Sequence, residues 1–225
     1  MCKLAFDSFA NCIKLINEYN EDYKNKVIEE ENDVDIYEDK IGTYIVKLSQ
    51  KMLSKNETME LNKYLKSITD FERISDHSLN ICELLCKLHD MNKKFSDEAY
   101  NILIKIIKPL KQIISDIITV FETNDIKKAY NIEPLEQVID LLINNAKKDH
   151  ILRLQKGICD FSISFIYNDI LTDIERVSDH CSNIAGLVID EKEDNFNTHL
   201  NIGKMKEKND TFEKKYNEYI NVYLY

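Results

Sequence analysis

The chain carries Thr69-Asp-Phe-Glu-Arg-Ile-Ser-Asp-His-Ser-Leu-Asn-Ile81 and repeats it as Thr172-Asp-Ile-Glu-Arg-Val-Ser-Asp-His-Cys-Ser-Asn-Ile184. Nine of the 13 positions are identical, and the two copies lie 103 residues apart. Chance would give about one identity in a strip of this length, and a long stretch that returns at a fixed offset marks an internal duplication. The sequence therefore predicts two copies of one structural unit.

Helical periodicity runs through both copies. The 225 residues include only 4 Gly and 2 Pro, far fewer than the turns of an all-β fold require. Apolar residues recur at three- and four-residue spacing along six segments, three in each copy. The predicted fold is all-α, with two tandem antiparallel three-helix bundles and a short C-terminal helical tail. The predicted helices cover about 4–16, 23–53, 57–88, 97–124, 126–155 and 158–189.

Local signals set several of these boundaries. The segment Ser54–Glu57 indicates a break followed by a new helix start. Ser96 is expected to cap the fourth helix, and Gly157 is expected to close the fifth.

The helices divide the chain into a first repeat over 1–92, a second repeat over 93–190 and a charged tail over 191–225. Near-helical spacing of three aromatic residues in the tail predicts a short helix that packs against the bundles. These residues are Tyr216, Tyr219 and Tyr223.

Composition narrows the classes of function. The formal net charge of −10 repels a nucleic-acid backbone. An acidic chain is a better candidate for binding cations or a basic partner surface, and a solvated acidic exterior is the alternative that composition alone does not separate from it. The chain has no secretory signal and no run near the roughly 20 apolar residues that cross a bilayer. We expect a cytoplasmic protein, at the inner face of the membrane if it acts beside a transporter. Cys82 and Cys86 lie four residues apart on one helix and could meet side by side, but we expect them to be reduced and to pack as small core residues. The other cysteines are Cys2, Cys12, Cys159 and Cys181, and none of the six forms a CxxC pair.

Each repeated stretch places polar side chains along one face of a helix. Glu72, Asp76 and Asn80 are spaced i, i+4 and i+8, so they drift only about 40° per step. Carboxylates on adjacent turns repel each other, so a compensating charge is expected nearby. The second copy keeps the same line of residues: Glu175, Asp179 and Asn183.

The helix before each of these lines carries a further acidic pair. Glu31 and Asp35 precede the first line, and Glu136 and Asp140 precede the second at an offset of 105 residues. If neighbouring helices pack antiparallel, each unit brings four carboxylates and one Asn carbonyl together. Such an oxygen-rich site suits one or more hard or borderline cations. A single acidic pair is usually a solvated face, but four pairs in register with a duplication favour metal binding.

The basic residues of the repeated stretch have less specific roles. Arg73 and Arg176 are expected to neutralise neighbouring acids. His77 and His180 lie about 100° around the helix from the aspartates, so they either hydrogen-bond between helices or reach sideways to a metal. The other histidines have no assigned ligand role: His89, His150 and His199.

The two stretches resemble the E/D-x-x-x-D signatures of the PhoU family. In addition, Asp35-Ile-Tyr-Glu-Asp-Lys-Ile-Gly-Thr-Tyr-Ile-Val-Lys-Leu-Ser49 is similar to the PhoU-like C-terminal domain of bacterial sodium-phosphate cotransporters. The resemblance covers most of residues 1–190 and implies multinuclear metal clusters, with iron expected and zinc, manganese or magnesium as alternatives. The cotransporters carry a membrane domain upstream of this region and the given sequence includes none, so we expect either a free-standing paralogue or a fragment of a transporter. Carried over by position, the ligands are Glu31, Asp35, Glu72, Asp76, Glu136, Asp140, Glu175 and Asp179.

This resemblance implies a regulator of phosphate transport and phosphate homeostasis, not an enzyme. It also implies a homodimer, and a phosphate transporter or its signalling kinase as the partner. One alternative is a helical adaptor without metal, its acids solvated. Another is a carboxylate-bridged di-iron enzyme, which would use Glu-x-x-His; no histidine of the chain has a Glu three residues before it.

Overall fold

The computed structural model describes residues 1–192 and 210–224. Helices α1, α2 and α3 pack with one another, and α4, α6 and α7 do the same, so the predicted all-α fold of two tandem three-helix bundles is confirmed. The helices are α1 (Cys2–Asn17), α2 (Glu21–Ser49), α3 (Lys55–Asp90), α4 (Asp97–Thr123), α5 (Ile126–Ala129), α6 (Ile132–Gln155), α7 (Ser164–Lys192) and α8 (Asp210–Tyr223).

Side-chain caps determine where the helices begin. The side chain of Asn20 accepts hydrogen bonds from two backbone N–H groups in the first turn of α2. Ser54 and Glu57 form a reciprocal capping box at the start of α3, and Ser96 caps α4. Each cap satisfies backbone donors that the first turn of a helix leaves without partners. Helix α2 ends at Ser49, slightly earlier than predicted, because a short turn precedes the Ser54 cap.

The helix predicted over 126–155 is wrong in one respect, because the structure divides it in two. Asp125 accepts a hydrogen bond from a backbone N–H and caps the single turn α5. Helix α6 then begins anew at Ile132, with Pro134 in its first turn, where the missing proline N–H costs no hydrogen bond.

The start predicted for the sixth helix is also wrong by several residues. Asp160 caps a 3-10 turn over Phe161–Ile163, and α7 begins only at Ser164. The predicted helix end at Gly157 is confirmed, since this glycine adopts a φ of 68° directly after α6.

The two bundles meet along α3 and α7, the helix pair with the most extensive contact. We call this contact between α3 and α7 the seam. The two helices run antiparallel along it, so the end of α3 lies beside the start of α7 and the start of α3 lies beside the end of α7. Lys63 near the start of α3 forms an ion pair with Glu191 near the end of α7 at 2.6 Å. Both helices contribute fully buried side chains to one continuous core: Ile74, Ile81, Val177 and Ile184.

Helix α8 packs on the second bundle, against α6 and α4. Phe212 is buried, and Tyr216, Tyr219 and Tyr223 pack against the core, as predicted for the tail. The expectation for His199 lies outside the described residues. Within residues 1–192 and 210–224, no helix combines the length and the apolar character needed to cross a bilayer.

Candidate metal centre

The first acidic cluster consists of Glu31, Asp35 and Asp76. Glu31 and Asp35 lie one turn apart on α2, and Asp76 faces them from α3. One carboxylate oxygen from each residue lies within 4.8 Å of the other two. Glu31 and Asp76 are partly buried and Asp35 is exposed, so the cluster opens to solvent on one side.

The second acidic cluster consists of Glu136, Asp140 and Asp179. It repeats the first arrangement on α6 and α7, again with one oxygen from each residue within 4.8 Å of the others. Glu136 is buried here, and the two aspartates are partly buried. The structure therefore brings together six of the predicted ligand residues, in two groups related by the duplication.

Negative charge accumulates at the first acidic cluster. The pKa of Glu31 is raised by burial and then by the charges of Asp35, Asp76 and Glu83. The pKa of Glu72 is raised from 4.5 to about 7, chiefly by burial and then by its hydrogen bond with Asp76. The charges of Asp76 and Glu38 raise it further, and the charge of Arg73 partly offsets the increase. Such shifts mean that an added positive charge would stabilise the ionised carboxylates.

The remaining two predicted carboxylates have different neighbours. Glu72 lies beside Asp76 and contacts Nε of the half-exposed Arg73 at 3.4 Å. Its counterpart Glu175 instead accepts a hydrogen bond from Nζ of Lys147 at 2.6 Å. Neither residue belongs to a three-carboxylate group, although each lies one helical turn from the aspartate that does.

The predicted asparagine ligands are also in different settings. Asn80 is exposed on α3. Asn183 is partly buried on α7, and its amide nitrogen donates a hydrogen bond across the seam to Asp70 at 3.3 Å. The amide of Asn183 is thus turned toward the neighbouring bundle by a contact that the sequence did not predict.

The two motif histidines form crossed pairs across the seam. Nδ1 of His77 lies 2.8 Å from Oδ1 of Asp173, and Nδ1 of His180 lies 2.8 Å from Oδ1 of Asp70. The two imidazole rings stack, with their centroids 5.7 Å apart. Of the two roles left open by the sequence, the structure therefore supports hydrogen bonding between helices.

A family model described as the PhoU domain matches residues 1–85 and 93–188. The chain belongs to the PhoU family. The curated proteins that resemble it include the phosphate-specific transport system accessory protein PhoU homolog 1 of Thermotoga maritima. That protein is 26% identical over 194 residues, which cover 84% of this chain and 81% of the relative. The PhoU homolog of Clostridium acetobutylicum is 19% identical over 193 residues, covering 82% and 84%.

Solved PhoU structures share the fold. PhoU from Pseudomonas aeruginosa superposes with a TM-score of 0.80 at 18% identity, over 86% of this chain and 92% of that one. The phosphate transport system regulatory protein PhoU from Streptococcus pneumoniae gives a TM-score of 0.74 at 17% identity, over 85% and 89%. At these identities the likeness establishes the fold of this PhoU-family chain.

Several residues around the clusters of this PhoU-family member were missed by sequence reasoning. Asp70 and Asp173 belong to the repeated stretch, so their identity in both copies was an available signal. Glu38 and Glu83 were missed because the second repeat does not keep them. Glu133 is buried and bonded to the hydroxyl of Ser182, which only the packing of α6 on α7 reveals.

The donor set of both clusters fits a metal cation. In the described part of the chain each group offers carboxylate oxygens alone, with no histidine or cysteine in either. Oxygen-only sets suit Mg²⁺, Mn²⁺ and iron better than soft metals. Burial and neighbouring negative charges raise the pKa values of Glu31 and Glu72, and a bound cation would offset this by stabilising the ionised carboxylates.

Proposed function

We propose that this chain is a metal-binding regulator of phosphate transport and phosphate homeostasis. The observation that carries the proposal is the pair of three-carboxylate groups at equivalent positions of the duplicated fold. The names of its relatives, as accessory and regulatory proteins of phosphate transport systems, support the transport role. The bound ions are expected to be multinuclear iron, with zinc, manganese or magnesium as alternatives.

The partner is proposed to be a phosphate transporter or its signalling kinase. The chain would act in the cytoplasm, beside a membrane transporter, and a sodium-phosphate cotransport system is one such setting. Metal loading would cancel negative charge and fix the distance between α2 and α3, and between α6 and α7. A partner could then recognise one defined surface, in the manner of other ligand-ordered switches.

The first test is elemental analysis of untagged protein, together with thermal melting with and without chelator. Metal at about 100 times its dissociation constant stabilises a fold by about 2.7 kcal/mol. For a chain of this size that corresponds to roughly 5–10 °C in melting temperature. Several equivalents of metal per chain, lost with such a drop on chelation, are the expected result.

A matched pair of variants localises the metal. Asp35→Asn with Asp76→Asn removes two charges from the first acidic cluster, and metal content should fall by the share that cluster holds. Asp33→Asn with Asp39→Asn removes two charges from exposed positions of α2 and should leave the metal content unchanged. A metal-free protein whose melting ignores both chelator and added metal would reduce the function to that of a helical adaptor.

A further inference from the structure

A group of polar side chains lies where the end of α6 meets the start of α7, about 15 Å along α6 from Asp140 of the second acidic cluster. His150 and Arg153 stand on adjacent turns of α6, and both are buried. Nε2 of His150 lies 2.9 Å from Oγ of Ser164, the first residue of α7. The ring of Tyr167 packs against both, with its centroid 4.7 Å from that of His150 and 5.7 Å from the guanidinium carbon of Arg153. We call these four residues the basic cluster.

The guanidinium of Arg153 is buried without a hydrogen-bond acceptor. Its side chain is 3% exposed, and none of its three nitrogens has a hydrogen-bond partner in the part of the chain that the structure describes. It forms only a long ion pair, in which Nη1 lies 3.9 Å from Oε1 of Glu98, and the side chain of Glu98 is 61% exposed. Arginine stays charged in proteins, and a buried charge that lacks a close partner is strongly destabilising. The site therefore lacks an anion in close contact.

His150 adds a fourth buried nitrogen without a partner. Among the described residues, its Nδ1 has no hydrogen-bond partner, whereas its Nε2 is engaged by Ser164. Burial and the charge of Arg153 lower the pKa of His150, so the ring is mostly neutral at pH 7. When the hydroxyl of Ser164 donates to Nε2, the proton of the neutral ring is on Nδ1. His150 then offers a donor beside those of Arg153.

The first repeat shows that the fold does not require these polar side chains. Offsets of 105 residues between α2 and α6, and of 103 between α3 and α7, align the two repeats. Under these offsets the counterparts of His150, Arg153 and Ser164 are all apolar: Ile45, Leu48 and Leu61. At this place the first repeat has a cleft of about 350 Å³, lined in part by the counterparts of His150 and Ser164. Three polar residues at buried positions where an apolar set suffices indicate recognition of a polar ligand.

We propose that the basic cluster binds one small free oxyanion of the phosphate and sulfate class, which takes the place that the Glu98 carboxylate now holds at a distance. A guanidinium presents a planar fork of N–H groups that matches two oxygens of such an ion, and His150 supplies a further donor. The ion provides the acceptors that four buried nitrogens lack. Because Arg153 is almost fully buried, the site admits a free ion and not a phosphorylated side chain.

The acidic character of the chain does not prevent this binding. The Debye length is about 8 Å at physiological ionic strength, so distant carboxylates of a chain with a net charge of −10 have little effect at the site. Glu98 is the acid that an entering oxyanion must displace. Its side chain is largely exposed, so it can remain hydrated after the displacement.

Isothermal titration calorimetry with inorganic phosphate tests the site in the full chain. The protein is stripped of metal with chelator and then dialysed, so that neither a bound cation nor the chelator interferes. Wild type should bind one equivalent, and Arg153→Met should weaken binding about tenfold or more. Glu98→Gln should tighten binding about two- to five-fold, because it removes the competing carboxylate. Lys156→Met is the matched control, since it removes an exposed positive charge three residues from Arg153 and should leave the affinity unchanged.

Thermal melting separates binding from a structural role of Arg153. Without oxyanion, Arg153→Met should melt at or above the wild-type temperature, because an apolar side chain relieves the burial of a poorly paired charge. Phosphate at ten times its dissociation constant should raise the melting temperature of wild type by about 3–6 °C and leave that of Arg153→Met unchanged. Phosphate also stabilises proteins in general by exclusion from their surface. An equal rise in both proteins would therefore be this general effect and would overturn the proposal.

The remaining outcomes are also decisive. Stripped wild-type protein that binds no phosphate would overturn the inference, whether or not the acidic clusters bind metal, because the basic cluster shares no residue with them. Phosphate binding that Arg153→Met leaves unchanged would place the ion elsewhere on the chain. Binding of O-phosphoserine as tight as that of inorganic phosphate would overturn the assignment to a free ion. Tight binding of phosphate, weakened by Arg153→Met and strengthened by Glu98→Gln, would establish the oxyanion site.

Discussion

Replacing Glu72 by glutamine should stabilise the metal-free protein, although Glu72 belongs to the repeated signature. The folded state raises the pKa of Glu72 from 4.5 to about 7, chiefly through burial and the hydrogen bond with Asp76. A raised carboxyl pKa means that the folded state holds its proton more tightly than the unfolded state. Above pH 7 the ionised Glu72 therefore lowers the free energy of unfolding by its full amount, and this destabilisation disappears as the pH falls below 4.5.

The size of the effect follows from the shift. Each pKa unit is worth about 1.4 kcal/mol, so the full difference would be about 3 kcal/mol. Glu72 lies at the rim of the site beside a half-exposed arginine, and solvent screening reduces this to about 1–2 kcal/mol. Glutamine keeps a hydrogen-bond donor for Asp76 without the negative charge. The melting temperature at pH 8 should accordingly rise by roughly 3–6 °C for a chain of this size.

The assay is urea denaturation in the presence of chelator at pH 8 and pH 4.5. Glu72→Gln should be more stable than wild type at pH 8 and close to wild type at pH 4.5. Glu175→Gln is the matched control with the opposite sign, because it breaks the ion pair with Lys147 and should cost about 0.5–1 kcal/mol at pH 8. Equal or lower stability of Glu72→Gln at pH 8 would refute the reasoning from charge repulsion.

Two further predictions concern the seam between the bundles. Asp173→Asn should lower the free energy of unfolding by about 1–3 kcal/mol, because it weakens the hydrogen bond between residue 173 and the partly buried His77. A double-mutant cycle with His77→Gln, measured by urea denaturation, should show coupling between the two residues. Lys63→Ala should lower the free energy of unfolding by about 3 kcal/mol, because Glu191 loses the buried lysine with which it forms an ion pair. Lys63→Met combined with Glu191→Gln should recover most of this loss. A double variant as unstable as Lys63→Ala would contradict a stabilising role for the ion pair.

The sequence was sufficient for the fold because its signals were local and repeated. Ser96 caps α4 as predicted, and the helix start predicted at Ser54–Glu57 is confirmed, since a capping side chain acts within three residues of itself. The break between α5 and α6 was missed because apolar spacing continues through it. The start of α7 was missed because Asp160 prefers a local turn, and neither effect alters helical periodicity.

The candidate site was only partly predictable for a different reason. Spacing places Glu31, Asp35 and Asp76 on facing helices, and the structure brings them together. Spacing along a helix does not show which side chain of a neighbouring helix contacts a given carboxylate. Glu175 contacts Lys147 of α6, whereas Glu72 lies beside Asp76, and this difference depends on how the helices pack.

The crossed His–Asp pairs have a consequence for the origin of the fold. Each copy of the signature holds an aspartate and, seven residues later, a histidine, and each pair joins the aspartate of one copy to the histidine of the other. A single copy is therefore self-complementary: two identical chains related by a two-fold axis would form the same two pairs. The seam therefore has the pairing symmetry of an isologous interface, in which two identical subunits contact each other through the same residues. Gene fusion would have preserved this ancestral dimer contact inside one polypeptide, and each half was then free to diverge around its own acidic cluster.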